Sequence, residues 1–397
     1  MTTTARVDPR KVIIFGAGAT GRGHIGQLAY ASGYHLAFVD RDEALVQELA
    51  SSGRYMVRLV GAEVREVVIE GFTVRPLSDA CAVAEEIASA PLVLTAVLAE
   101  NLSGVAPALS LGIVRRAELG IETPLNVIAC ENMINGSTTL QGYVLKALDA
   151  RYHEYLRTHV GFPNAMISRV VPAPKGSRLL LEAEDYNEWP VDRGGFLGED
   201  PGIEGLSLVD NLPALLERKL YMHNTGHAVC GYLAWLKGYD VMCEAILDPW
   251  IQPIVRGAMA ESGAALRRKH GFSQESIERY GGDFIPRVAG KLILDPVSRV
   301  IRSPLRKIGR NERLIGPACM ALDYGLVTTN LALGIAALLR YRASDDPEAE
   351  ELQRMVRQGG LTQVLRQTGG VDLEAYPTLE GLVRAAQEEL QAKVTNP

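Results

Sequence analysis

Apolar residues in the first third of the chain come in short, near-continuous runs. They are KVIIF at 11–15, Leu36 to Val39, Leu92 to Val97 and Asn126 to Cys130. Continuous rather than alternating runs of this length predict strands buried on both faces, as in a parallel sheet covered by helices. Arg22 to Ser32 has helical character and stops at Gly33. From about Pro201 the pattern changes: segments 208–237, 241–270, 273–281, 312–341 and 348–358 show helical spacing with few strand signals. Gly/Pro-rich stretches at 172–176 and 193–205 punctuate the change and are expected to carry a linker. The expectation is an α/β domain over 1–200 and a mostly α-helical domain over 201–397. A cleft between two such domains is the default place for a ligand.

The turn after the first run sharpens this reading. Gly16-Ala17-Gly18-Ala19-Thr20-Gly21 follows KVIIF at once, opens the 22–32 helix, and is followed by a strand ending at Asp40. Strand, G-x-G-x-x-G, helix, strand and terminal acid in that order are the dinucleotide fingerprint in its confirming context, so the first domain is expected to be Rossmann-type. Gly16 allows the tight turn, Gly18 lets a pyrophosphate approach the backbone, and Gly21 lets the helix lie close to the sheet. Amides at the helix start, around Ala19 and Thr20, can donate to phosphate. Asp40 can accept from a ribose 2′-hydroxyl, which favours NAD; Arg41 beside it can hold a 2′-phosphate and leaves NADP open. Thr95, Ala96 and Val97 end the third run, and Asn132 follows the fourth. Ligands of open α/β sheets bind beyond these carboxyl ends, so all four belong with the cofactor crevice. A turn or helix cap is the plain alternative for Asn132.

Composition narrows the classes without choosing among them. The chain has 397 residues, 47% hydrophobic and 22% charged, with a formal net charge of −6, which gives no footprint for nucleic acid. The opening MTTTARVDPRK has no apolar h-region, and the longest apolar run, near 331–339, is too short to span a bilayer. The five cysteines are scattered with no C-x-x-C pair, which points to reduced thiols in the cytoplasm and away from a structural zinc site.

Chemistry concentrates in ERKLYMHNTGHAVCGY, residues 217–232. Lys219, Asn224 and His227 stand at spacings of five and three. At about 100° per residue, Asn224 falls about 140° round from Lys219 and His227 about 80°. One helix face would then present an amine, an amide and an imidazole. An amine held off water can serve as a base, an amide can donate to a developing alkoxide, and an imidazole can orient a hydroxyl. Together they suit proton removal from an alcohol without a metal. An exposed polar stripe is the plain alternative. A basic series, Arg299, Arg302, Arg306, Lys307, Arg310 and Arg313, is either a solvated face or an anion site. Pro304 starts a new helix within it.

With the fingerprint and this helix located, the chain resembles the polyol-specific long-chain dehydrogenases, the mannitol dehydrogenase family. The matching stretches are FGAGATGRGHIG (15–26), TPLNVIACENMINGSTTLQG (123–142), VDNLPALLERKLYMHNTGHA (209–228), GAMAESGAAL (257–266), SPLRKIGRNERLI (303–315) and LDYGLVTTNLALGIAALL (322–339). The resemblance implies a metal-independent oxidoreductase interconverting a sugar alcohol and its ketose with NAD, acting as a monomer. It puts the general base on Lys219, oxyanion-stabilising amides on Asn132 and Asn224, and a substrate-orienting imidazole on His227. Retention of the basic segment favours a phosphorylated or otherwise anionic substrate held by Arg302, Arg306 and Lys307. His223, about 40° from Lys219, is either a substrate contact or a core histidine paired elsewhere.

The chain departs from the family pattern in three places. Arg287-Val288-Ala289-Gly290-Lys291 stands where Phe-x-Asn-Pro is common, Tyr221-Met222-His223 stands where apolar residues are usual, and Leu98 stands where the phosphate-specific branch tends to place Gly. A free polyol or a sugar acid as substrate stays open, as does a non-catalytic dinucleotide sensor.

Overall fold

The computed structural model describes residues 7–61, 63–290 and 294–394, so Lys291 lies outside the described residues. The strands are β1 (Lys11–Phe15), β2 (His35–Asp40), β3 (Arg54–Val60), β4 (Val64–Glu70), β5 (Thr73–Pro76), β6 (Leu92–Thr95), β7 (Leu125–Ala129), β8 (Val160–Gly161), β9 (Leu180–Glu184), β10 (Trp189–Asp192) and β11 (Leu206–Val209). Six form one sheet in the order β5-β2-β1-β6-β7-β8, and every neighbouring pair in it is parallel. The continuous apolar runs have their cause here. Val12, Ile14, Phe38, Leu94 and Ile128 enter the core on one face, and Ile13, Phe15, Val39, Val93 and Val127 enter the core on the other. Both faces are thus dry, which alternating polar positions would not permit.

Register decides where the strands end. Phe15 pairs with Val39 and with Thr95, and Thr95 pairs with Ala129. The segments after β2, β1, β6 and β7 therefore leave the sheet on one edge, which carries Asp40, Gly16, Ala96 and Asn132. The strand expected over Leu92 to Val97 stops at Thr95, which releases Ala96 and Val97 into that edge.

The chain clusters into two compact units, Met1–Leu212 and Pro213–Pro397. The Gly/Pro-rich stretches expected to carry a linker both lie inside the first unit. Residues 193–205 join β10 to β11, which pair in parallel with each other. In the second unit, Thr225–Lys237 lies against the long helices Ile251–His270 and Thr329–Arg340 around one apolar core. The expected helices are interrupted. Residues 208–209 belong to β11, and the 241–270 segment divides into Met242–Ala245 and Ile251–His270 around Pro249. The 312–341 segment divides into Ile315–Asp323 and Thr329–Arg340 around Gly325, whose φ of 65° no helix accommodates. The helix expected over 348–358 starts at Pro347 and is broken by a kink at Gly360, whose φ is also 65°, before a second helical stretch ends at Gln367; Pro377–Val394 adds a further helix. Among the described residues, no helix is long and apolar enough to cross a membrane.

Candidate active site

In the first unit, the glycine-rich turn is shaped by what its side-chain-free positions touch. Gly16 has φ 92°, and a Cβ there would strike the Ala96 carbonyl, with its carbon at 2.8 Å. A Cβ on Gly21 would strike the Gly16 carbonyl, so the helix start lies directly on the turn. Gly18 is different: a Cβ there would meet nothing within 4 Å. Two glycines are needed by the fold, and the third faces open space, the arrangement a pyrophosphate requires.

The helix that follows winds with π-type, i→i+5 hydrogen bonding over Gly21–Gly26. Buried Arg22 in that stretch reaches back, its Nε donating to the Ala17 carbonyl at 2.6 Å and its Nη1 to the Arg178 carbonyl at 2.7 Å. Asp40 holds the turn from the other side: Oδ2 accepts from the Ala17 amide at 2.6 Å, and Oδ1 from the Asp42 amide at 2.9 Å. Ala19 and Thr20 lie at the helix start, as expected.

The segment after β6 is fixed by a residue that sequence reasoning did not single out. Glu131 is buried and its Oε1 accepts from the Thr95 hydroxyl at 3.1 Å and the Val97 amide at 2.8 Å; its Oε2 accepts from the Leu98 amide at 3.0 Å. Burial raises the Glu131 carboxyl above its ordinary range, opposed by these donors. Asn101 continues the network. Its Nδ2 donates to the Val97 carbonyl at 2.8 Å, and its Oδ1 accepts from Arg41 Nη1 at 3.1 Å. Arg41 is thereby tied to the β6 segment. Asn132 follows Glu131 and is exposed.

One helical rod, built from Leu212–Arg218, Lys219–Asn224 and Thr225–Lys237, carries the polar set, and all of it beyond Leu212 belongs to the second unit. Its middle section is π-wound. The angles read from the sequence assume an α-helix throughout, and they are corrected by this turn. A hydrogen bond spanning five residues puts more residues in each turn, so Asn224, five after Lys219, swings round towards it rather than lying about 140° away. Lys219, His223, Asn224 and His227 are all partly buried.

The imidazoles are held by their neighbours. His227 Nδ1 donates to the His223 carbonyl at 3.0 Å, which fixes its tautomer and leaves Nε2 as an acceptor. The two rings lie 4.6 Å apart, and Phe284 stands edge-on to both, at 5.4 Å from His223 and 5.0 Å from His227. Phe284 comes this close because position 226 is glycine; a Cβ there would meet the Phe ring at 2.7 Å. Burial pushes His227 down to about 4 and His223 well below its usual value. The His227, Arg287 and Lys219 charges add to the second shift. Both rings are neutral at physiological pH.

The basic segment lies along the same rod, with Tyr232 Oη donating to the Ile301 carbonyl at 3.0 Å and Thr225 Oγ1 to that of Arg313 at 2.5 Å. Its members divide. Arg302 and Arg306 are exposed, whereas Lys307 is buried with Nζ donating to the Arg302 carbonyl. Burial lowers Lys307 to about 8. Arg299 is paired with Asp295, Arg313 with Glu312, and Arg310 donates to Tyr376. Among the described residues, no group of three or more His, Cys, Asp or Glu side chains is arranged to hold a metal ion.

Sequence reasoning thus found the fingerprint and the polar rod but missed Glu131, Arg22, Asn101 and Phe284. Only Glu131 gave a signal, by standing at a strand end next to Asn132.

Two family models match the chain in succession, one described as the mannitol dehydrogenase Rossmann domain over residues 10–205 and one as the mannitol dehydrogenase C-terminal domain over residues 211–391. Among solved structures, a substrate-free D-sorbitol dehydrogenase is similar at 16% identity, with 98% of this chain and 94% of that chain covered and a TM-score of 0.80. A Pseudomonas fluorescens mannitol 2-dehydrogenase, solved as a ternary complex with NAD and D-mannitol, is similar at 18% identity. It covers 100% of this chain and 96% of that chain at a TM-score of 0.65. At such identities the likeness is one of fold.

Proposed function

Because the chain belongs to the mannitol dehydrogenase family, we propose that it is an NAD-dependent polyol dehydrogenase whose general base is Lys219. The observation that supports this reading is the π turn at Lys219–Asn224, whose wider winding brings position 224 round towards position 219 on the rod that also carries two imidazoles kept from protonation by burial. Lys219, in its neutral form, takes the proton from a secondary hydroxyl. Asn224 donates to the oxygen as it gains negative charge, and the family resemblance gives Asn132 the same role. His227 Nε2 accepts from a neighbouring hydroxyl and so selects which carbon is presented. NAD, when bound, supplies the acceptor for the hydride. In the reverse direction, protonated Lys219 donates to the ketose carbonyl.

The residues at the sheet edge fit that cofactor. Gly18 opens a place for the pyrophosphate, the amides near Ala19 and Thr20 face it, and Gly16 and Gly21 keep the turn low. Asp40 accepts from the ribose, and Thr95, Ala96 and Val97 line the crevice beyond β6. The mannitol 2-dehydrogenase relative, solved with NAD, supports the assignment. The scattered spacing of the five cysteines, all free, is compatible with a reducing, cytoplasmic setting, and the monomeric state that the family resemblance implies is part of the proposal.

For the substrate, we propose a phosphorylated hexitol such as mannitol 1-phosphate, its anion met by the exposed guanidinium groups of Arg302 and Arg306. Lys307 takes no direct part, being turned inward on the Arg302 carbonyl. A free hexitol is the second reading, favoured by the sorbitol and mannitol enzymes among the similar structures. Rates of NAD reduction with mannitol 1-phosphate, mannitol, sorbitol and mannonate decide between them. The phosphate reading expects the highest kcat/KM for mannitol 1-phosphate; a higher value for any unphosphorylated compound overturns it.

A further inference from the structure

Leu98 is the residue in the first unit whose backbone is hardest to explain from its own identity. It has φ 72° and ψ 147°, a region that glycine enters freely and a branched-chain residue enters only under constraint, and its side chain is 62% exposed. No burial of that side chain therefore accounts for the conformation. What faces it is the Glu131 carboxylate, whose Oε2 accepts the Leu98 amide while Oε1 holds Val97 and Thr95. The turn so held has two further duties. The carbonyl of Ala96, inside it, is the group against which Gly16 is fitted. The carbonyls of Val97 and Leu98 receive the Asn101 side chain and the Asn101 amide, and Asn101 in turn receives Arg41.

We infer that Glu131 is a positioning residue for the bound dinucleotide: it imposes the strained turn at 96–98, and through that turn sets the walls of the cofactor crevice and the seat of Arg41. Its backbone also leads directly into Asn132, so one buried carboxylate fixes the start of the amide-bearing loop and the loop beyond β6 together. The inference rests on the proposed function for the identity of the ligand. It assigns Glu131 no contact with the reacting atoms.

The logic yields a rescue test. Gln at 131 keeps the shape and one acceptor oxygen, but sets an amide nitrogen against one of the backbone N–H groups. Glycine at 98 reaches a φ of 72° without help. NADH affinity, read by protein-to-nicotinamide energy transfer with no polyol present, is compared in wild type, Glu131→Gln, Leu98→Gly and the double variant. Glu131→Gln is expected to weaken NADH about tenfold, because the strained turn, held by one hydrogen bond fewer, relaxes away from its shape in the crevice. The double variant is expected to bind within about threefold of wild type, since the strain no longer needs the carboxylate. Wild-type affinity in Glu131→Gln overturns the inference, and so does a double variant as weak as Glu131→Gln. If Glu131→Gln does not fold, Leu98→Gly alone still decides: a raised melting temperature with NADH affinity kept supports an imposed strain, and a lowered one overturns it. Failure of the wild-type protein to bind any nicotinamide dinucleotide would instead sink the proposed function, leaving the strained turn without a ligand to serve.

Discussion

Gly16 and Gly18 stand two residues apart in one motif, and alanine at each should fail for a different reason. At Gly16 the backbone has φ 92°, and an added Cβ would run into the Ala96 carbonyl, whose carbon would lie at 2.8 Å. Holding a non-glycine residue at such a φ costs about 1–3 kcal/mol. Pushing a methyl into backbone that cannot yield adds about 1–3 kcal/mol more. Gly16→Ala should therefore lose about 2–6 kcal/mol of stability and separate the turn from the end of β6. At Gly18 the φ is not positive and a Cβ meets nothing within 4 Å, so Gly18→Ala should stay within about 1 kcal/mol of wild type. Its methyl instead fills space reserved for the pyrophosphate, and NADH should bind at least about tenfold more weakly, a loss of about 1.4 kcal/mol. Urea unfolding followed by tryptophan fluorescence gives the first quantity, and NADH titration of the folded variants gives the second. The reasoning is refuted if Gly18→Ala binds NADH as wild type does, or if it unfolds as readily as Gly16→Ala.

Other expectations follow from the same geometry. His227 is pushed down to about 4 by burial, so between its ordinary value of 6.5 and that point the unfolded chain binds the proton first. Its contribution is complete above about pH 6.5 and is lost as pH falls towards 4, by up to about 3 kcal/mol, with His223 acting in the same direction. Unfolding free energies of His227→Gln at pH 7.5 and pH 5, taken as about one pH step either side of 6.5, should differ less than those of wild type; parallel losses contradict the assignment. Asp40→Asn removes one charged acceptor from the turn and the ribose site, so NADH should weaken about tenfold while NADPH weakens less, and an unchanged ratio of the two affinities would count against Asp40 as the discriminator. Arg302→Ala combined with Arg306→Ala should raise KM for mannitol 1-phosphate at least about tenfold and leave KM for free mannitol within about twofold; equal effects on both refute the anion site. Prolonged treatment with EDTA should leave turnover unchanged, because the proton is taken by Lys219; metal-dependent recovery of lost activity would argue otherwise.

What the sequence made legible follows from which interactions are local. The fingerprint could be read because its glycines recur at fixed spacing in one short turn between strand and helix, and the structure finds two of the three against backbone, Gly21 against Gly16 and Gly16 against the distant Ala96. The parallel sheet could be read because Val12 to Phe15 and Leu92 to Leu94 are apolar at every position, which two-sided burial demands. The spacing of Leu379, Val383, Ala386 and Leu390 marks the last helix as clearly. The π turn at Lys219–Asn224 was not legible, because hydrogen-bond register along a helix leaves no mark on an amphipathic pattern, and it changes the geometry of the residues that matter most. Phe284 could not have been placed beside His223 and His227 either. Its approach depends on the missing side chain of Gly226, which joins segments 58 positions apart only after folding. Lys307 shows the converse failure. It shares the basic segment with Arg302 and Arg306, and only the tertiary structure reveals that it turns inward.

The central claim is that Lys219 removes the substrate proton and has no part in holding the dinucleotide. Steady-state oxidation of mannitol 1-phosphate, and of free mannitol alongside it, should be measured for Lys219→Ala together with its NADH dissociation constant. With both substrates kcat should fall by about a hundredfold or more while NADH affinity stays within about twofold of wild type. Turnover that survives the substitution, or a loss of turnover that tracks an equal loss of NADH binding, contradicts the claim.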